Sequence, residues 1–149
     1  MTQRIRLFTI GFTKKSARQF FSLLRTGGVR KVLDTRLNNV SQLAGFTKRD
    51  DLSFFLEEVA GIGYEHAEQL APTDLILKRY KKGEIGWEDY AFEYQALLQK
   101  RELTSQFTAD VLDGVCLLCS EATPHHCHRR LAAEFFQRQL GCGVEIIHL

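Results

Sequence analysis

Val115 to Cys119 is an unbroken run of five apolar residues, entered through Asp113-Gly114 and left through Ser120-Glu121. A strand with one wet face alternates apolar and polar side chains, so a continuous run needs cover on both faces. The chain must therefore supply helices for two sides of a sheet. The flanking sequence does so.

Ile5 to Ile10 reads as a strand ending at Gly11. Ser16 is an N-cap for a helix whose Ala17, Phe20, Phe21 and Leu24 make an apolar stripe, with Gly27-Gly28 as its stop. Val29 to Asp34 is a second strand, and a polar loop leads from it to a helix over about 51–59. Leu52, Phe55, Leu56 and Val59 are expected on the buried side of that helix, with Gly61 at its end. Tyr64 to His66 is a brief third strand. From Thr73 to Asp110 the spacing is helical, interrupted around Gly83 to Gly86, and Tyr90, Tyr94, Leu97 and Leu98 form the face to bury. Leu131, Ala132, Phe135 and Phe136 repeat at helical spacing before a final strand from Val144 to Leu149. This alternation predicts an α/β fold: one domain over residues 1–149, with a mainly parallel sheet and helices on both faces. Strand order is not readable from the pattern.

In an open parallel sheet, ligands sit outside the carboxyl ends of the strands. The first strand ends at Gly11-Phe12-Thr13, the second at Asp34-Thr35-Arg36 and the later apolar strand at Cys119-Ser120-Glu121. One rim would then gather Thr13, Asp34, Arg36, Cys119 and Glu121. Arg36 and Arg129 are candidate anion clamps, because a guanidinium meets phosphate or carboxylate in bidentate fashion; each could equally neutralise the acids. Asp34 and Glu121 are a candidate acid–base pair, with Asp34 pairing to Arg36 as the structural alternative.

The segment CSEATPHHCHRR holds two of the four cysteines and three of the five histidines. A helix starting near Cys127 would aim unpaired N–H groups at an anion and lower the thiol pKa. Cys127 is thus a candidate nucleophile, with His128 and Arg129 as anion-binding neighbours; a buried, inert cysteine is the plain alternative. Zinc on Cys119, Cys127 and a histidine competes, but Cys-x7-Cys-His lacks a Cys-x2-Cys knuckle. No metal and no cofactor enter the leading reading. Cys116 reads as core. Cys142 in Gly-Cys-Gly offers no mechanism, and Lys78, Arg79, Lys81 and Lys82 read as a solvated helix face. Trp87 with Tyr90 could stack a base, although their spacing suits packing.

The motifs TIGFT, VLDTR, IGYEHAEQL and CSEATPHHCHRRLAAEF together resemble the domain of unknown function 488 family. The family opens with a Thr-Ile-Gly-His-Ser pattern where this chain has Phe12-Thr13, so the Thr13 hydroxyl stands where Ser would be. It reads Asp-Val-Arg where this chain has Asp34-Thr35-Arg36, and Leu-Gly-Gly where this chain has Leu70-Ala71-Pro72. The resemblance implies an α/β fold and one site holding Asp34, Arg36, Cys119, Glu121, Cys127, His128 and Arg129. It supplies no reaction.

The leading expectation is an enzyme of hydrolase or transferase type. It would act on a small anionic, phosphate-bearing or nucleotide-like ligand in the strand-end crevice. The alternatives are a non-catalytic nucleotide or nucleic-acid binding module and a structural Cys/His site. A net charge of +2 is too weak for the concentrated basic face of most nucleic-acid binders. No apolar stretch is long enough to span a membrane or serve as a signal peptide, so no membrane partner and a cytoplasmic location are expected. In that reducing setting the cysteines are expected as free thiols or ligands.

Overall fold

The computed structural model describes residues 4–39, 45–121, 125–140 and 143–149. Cys142 lies outside the described residues. Strands β1 (Arg4–Gly11), β2 (Lys31–Asp34), β3 (Gly63–His66), β4 (Val115–Cys119) and β5 (Gly143–His148) form one sheet in the order β3-β2-β4-β1-β5. Every pairing among the described strands is parallel. β4 is fully buried, as its apolar run requires.

Helix α1 (Ala17–Gly27) starts in a capping box in which Ser16 Oγ accepts from the Gln19 amide, and it stops at Gly28 with φ 76°. Helix α2 (Arg49–Phe54) continues as a π-helical segment, Phe55–Ala60, that ends at left-handed Gly61. Helices α3 (Asp74–Lys81), α4 (Trp87–Lys100), α5 (Ala109–Leu112) and α6 (His128–Gln139) complete the described α-helices, with short 3-10 turns at Gly45–Thr47, Glu68–Leu70 and Leu103–Ser105.

The pleat divides the core in two. Phe8, Ile10, Val32, Cys116 and Leu118 meet Phe20 and Leu24 of α1 and Leu52 and Leu56 of the α2 segment. On the other face Ile5, Leu7, Leu33, Val115 and Leu117 meet Tyr94 and Leu98 of α4 and Leu131, Ala132, Phe135 and Phe136 of α6. Helices on both faces of a parallel sheet are what the sequence pattern predicts.

One stripe differs. Leu52 and Leu56 are buried, but Phe55 is 37% and Val59 64% exposed. The wider π turn rotates each residue through a smaller angle, so Val59 falls off the line that α-helical spacing would keep. Phe55 instead packs edge-on against Phe21 and Phe54. Among the described residues, no helix is long and apolar enough to cross a membrane.

Candidate functional site

β2, β4 and β1 are neighbours, so their carboxyl ends open onto one rim. A cleft of about 360 Å³ lies there, lined among others by Thr13, Arg36, Cys119, Glu121, Cys127 and His128. The shared mouth expected from strand ends and a helix start is therefore present. A shallower groove of about 470 Å³ runs along the β1–α1 loop and α1 between Thr13 and Leu23; apart from Thr13 it holds none of the candidate residues.

Asp34 closes β2 but does not line the cleft. Its carboxylate is fully buried beneath Arg36, which donates from Nε to Oδ1 at 2.9 Å and from Nη2 to Oδ2 at 2.8 Å. The Arg36 amide (3.2 Å) adds a bond to Oδ1, while Tyr64 Oη (2.7 Å) and Asn39 Nδ2 (3.4 Å) donate to Oδ2. Three side chains and one backbone amide thus saturate both carboxylate oxygens. Burial, with the Asp34 charge second, pushes the Tyr64 phenol well above its ordinary pKa, so it stays a donor. Arg36 also donates to Thr47 O at 2.7 Å and lies 5.2 Å from the centre of the Phe12 ring. Phe12, standing where the family pattern has His, thus serves as an apolar and cation–π floor for the clamp.

Cys119 ends β4, and Cys127 is the N-cap of α6. They are joined in a disulfide. This departs from the expectation of free thiols: the chain folds back from the strand end to the helix start and brings the sulfurs together. In this state Cys127 has no thiolate to offer, so a nucleophilic role would require reduction. Both sulfurs are also withdrawn from zinc, and no group of three or more potential ligands is present among the described residues. Cys116 is free and buried, with burial pushing its thiol pKa up.

Arg129 lies beneath this loop with no exposure. Its Nη1 donates to Glu121 O at 2.6 Å and to Cys119 Sγ at 3.2 Å. Burial lowers its pKa to about 10, with Cys116 and Glu121 opposing, so it stays charged at neutral pH. Gly11 makes room for it: a Cβ there would overlap the Glu121 carbonyl and approach Arg129 Nη1 to 2.7 Å. The glycine of the TIGFT motif is therefore set by close approach.

His128 sits at the first turn of α6 against the Tyr94 ring. Its Nε2 lies 2.9 Å from Thr35 O and 3.1 Å from Thr35 Oγ1, and that hydroxyl donates to Leu118 O at 2.8 Å. The carbonyl fixes the proton on Nε2. Burial lowers the pKa to about 4, overriding the Thr35 hydrogen bond, so His128 is neutral at pH 7 and acts as a dipole rather than a cation. Thr13 donates through Oγ1 to Ser120 O at 2.5 Å and through its amide at 3.1 Å, stitching the β1 end to the β4 end. Glu121 is exposed on the cleft wall and forms no ion pair among the described residues.

The opposite wall is aromatic. Tyr80, Trp87, Tyr90 and His126 all line the cleft. Trp87 stacks on His126 at 4.8 Å and on Tyr90 at 5.4 Å, and Tyr80 lies 4.7 Å from Tyr90. Helical spacing alone reads Trp87 and Tyr90 as packing residues. What brings them to the rim is the α3–α4 hairpin, whose tight Gly83 turn (φ 75°) folds Tyr80 back beside Trp87. Lys81, from the basic run of α3, joins the lining, while Lys78 and Arg79 are engaged by Asp74 at 2.9 Å and Glu93 at 3.0 Å.

The family described as Domain of unknown function DUF488 matches residues 16–136, most of the chain and all of this cleft except its Thr13 edge. The protein belongs to the DUF488 family. No curated protein and no solved structure matches it. The DUF488 match encloses β2, β4 and the start of α6, so the Asp-Thr-Arg and Cys-x-Glu…Cys-His-Arg segments of this chain meet at one place. Of the family-pattern departures, Pro72 lies on the cleft wall, and Ala71 O accepts from Arg101 Nη1 at 2.7 Å.

Proposed function

We propose that the cleft binds a small anionic, nucleotide-like molecule and that the protein is an enzyme of hydrolase or transferase type acting on it. The observation that carries this reading is the pairing of an aromatic wall (Tyr80, Trp87, Tyr90 and His126) with Arg36 and Lys81 in one cleft. A stacked base is stabilised by such rings whatever its identity. A guanidinium on an apolar ring suits phosphate. The volume lies within the range of small-molecule sites.

Within this reading each polar group has a distinct task. Asp34, with Tyr64 and Asn39, orients Arg36 and leaves the chemistry to others. Glu121, exposed in the cleft, is the group to move a proton. The start of α6 adds amide dipoles, and Thr13 with neutral His128 shapes the edge beside it. Arg129 acts from below, through Glu121 O. Ion pairing of Lys78 and Arg79 dilutes the basic face, which favours a small ligand over nucleic acid.

A non-catalytic binding module is the second reading, favoured by one observation: the Asp34 carboxylate is saturated by Arg36, Tyr64 and Asn39, which removes half of the expected acid–base pair.

Trp87 is the sole tryptophan of the chain, so its fluorescence reports on the cleft. Saturable quenching by nucleoside phosphates, and weaker quenching by the neutral nucleosides, is expected. No saturable response to nucleoside phosphates or sugar phosphates would refute the binding proposal. Glu121→Gln separates the two readings: binding kept with turnover lost marks an enzyme, whereas no turnover in the wild type with binding intact marks a module.

A further inference from the structure

Arg129 is a buried cation with no buried anion beside it among the described residues. Nη1 reaches Glu121 O and Cys119 Sγ, while Nε and Nη2 have no acceptor among the described residues. Burying a guanidinium is costly unless negative charge sits beside it. The groups that could supply that charge are few. Glu121 contacts Arg129 through its carbonyl, and its carboxylate acts on the guanidinium only from an exposed position, screened by solvent. Asp34 is committed to Arg36. Cys116 is held neutral by the apolar surroundings of β4. A ligand in the cleft does not meet Arg129, which is not part of its lining. Cys119 Sγ is left, already in contact with Nη1, and it can become an anion when its bond to Cys127 is reduced.

We propose that Cys119 and Cys127 are a redox-active pair at the floor of the cleft, that Arg129 holds Cys119 as a thiolate in the reduced protein, and that the pair exchanges electrons with a small disulfide admitted by the cleft. Both cysteines line that cleft, so the sulfurs and the space for a substrate coincide. The groups around the sulfur act in known directions. Arg129 and the amide end of α6 favour the thiolate. Glu121 opposes, and His128 is uncharged at pH 7.

The electron count closes. Cys119 Sγ⁻ attacks one sulfur of R–S–S–R, a Cys119–S–S–R bond forms, and R–S⁻ departs with the electron pair of the broken bond. Cys127 then attacks Cys119 Sγ, expelling the second R–S⁻, and the proton of Cys127 passes to one of the two leaving thiolates. Two protein thiols become one disulfide, and the substrate becomes R–S⁻ and R–SH. The oxidised pair is the state seen in the structure, and an external dithiol returns it by the reverse exchange.

The test uses the full chain, reduced with dithiothreitol and freed of excess reagent. Its reaction with dithiobis-nitrobenzoate, an aromatic anionic disulfide, is followed across pH in the wild type, Cys119→Ser, Cys127→Ser and Arg129→Met. The expected rate follows a thiolate whose pKa lies roughly 1–3 pH units below that of a free cysteine. Cys119→Ser loses this phase, Cys127→Ser halts at a mixed disulfide on Cys119 visible by intact mass, and Arg129→Met moves the pKa up toward about 8.5. Cys116 and Cys142 are present throughout, so the differences belong to the pair. Should Arg129→Met fail to fold, the wild type against Cys119→Ser decides alone. Persistence of the fast phase in Cys119→Ser, or titration of the folded wild type at the free-thiol value, overturns the proposal. This reading is independent of nucleotide binding, and either can fail without the other.

Discussion

Arg36 grips Asp34 with two nitrogens, at 2.9 and 2.8 Å, in a pair whose side chains are 5% and 0% exposed. Breaking one side of such a pair strands the other charge in the interior. Asp34→Asn is therefore expected to cost about 3–5 kcal/mol, read as a lowered urea midpoint with an unchanged m-value. Tyr64→Phe, which removes one donor and leaves the pair, should cost about 1–3 kcal/mol. Equal losses in the two variants would argue against Arg36 as the principal partner.

Gly11→Ala tests the close approach at the end of β1. The new methyl would overlap Glu121 O, a backbone atom held by Arg129, so the turn after β4 must move. A loss of about 3 kcal/mol or more is expected. Gly45→Ala, where a Cβ meets nothing within 4 Å among the described residues, should sit within about 0.5 kcal/mol of wild type in the same thermal melts.

His128 makes stability depend on pH with a definite sign. Its folded pKa of about 4 lies below the model-peptide value of 6.5, so the unfolded chain takes up the proton first. The contribution is complete above pH 6.5 and is lost as the pH falls toward 4. The loss should be on the order of 2–3 kcal/mol. His128→Gln should flatten the urea midpoint across that window, and a wild-type curve that is already flat there would contradict the assignment.

Trp87→Leu should weaken nucleotide binding by about 1–3 kcal/mol, the worth of one stacked ring. Equilibrium dialysis is the appropriate measurement, since the fluorescent reporter is lost. Trp87 is only half-buried, so the fold itself should tolerate the change.

Ser16→Ala removes the side-chain half of the α1 capping box, in which the Gln19 amide donates to Ser16 Oγ at 3.1 Å, and keeps the backbone half, in which the residue-16 amide donates to Gln19 Oε1 at 3.0 Å. A cost of about 1 kcal/mol is expected in denaturant melts. Ser16→Asp should recover most of it.

The parts of this molecule that were legible in advance are those governed by local rules. The apolar run of β4, the Ser16 cap and the glycine stops need no knowledge of distant chain. The common rim also followed, because it requires only that the strands be parallel. What escaped depends on geometry between elements. Asp34 and Arg36 sit two residues apart on a strand end, and nothing in that spacing says whether the carboxylate faces the crevice or turns under the guanidinium. The Cys119–Cys127 bond depends on how a loop folds back. The π segment moves Val59 outward without any glycine or proline to announce it, and Trp87 acquires a place in the cleft through the α3–α4 hairpin.

The strand order carries a consequence for how the chain is made. β1 has no sheet partner until β4, where Phe8 meets Cys116, and β2 borders the same vacant position from the other side. A nascent chain lacking β4 therefore holds two strands with an empty slot between them, and β4 enters as a keystone. Such non-local closure is slow. Translation must pass Cys119 before the halves can lock, and polypeptides stopped short of it would present unzipped edges for chaperones to shield.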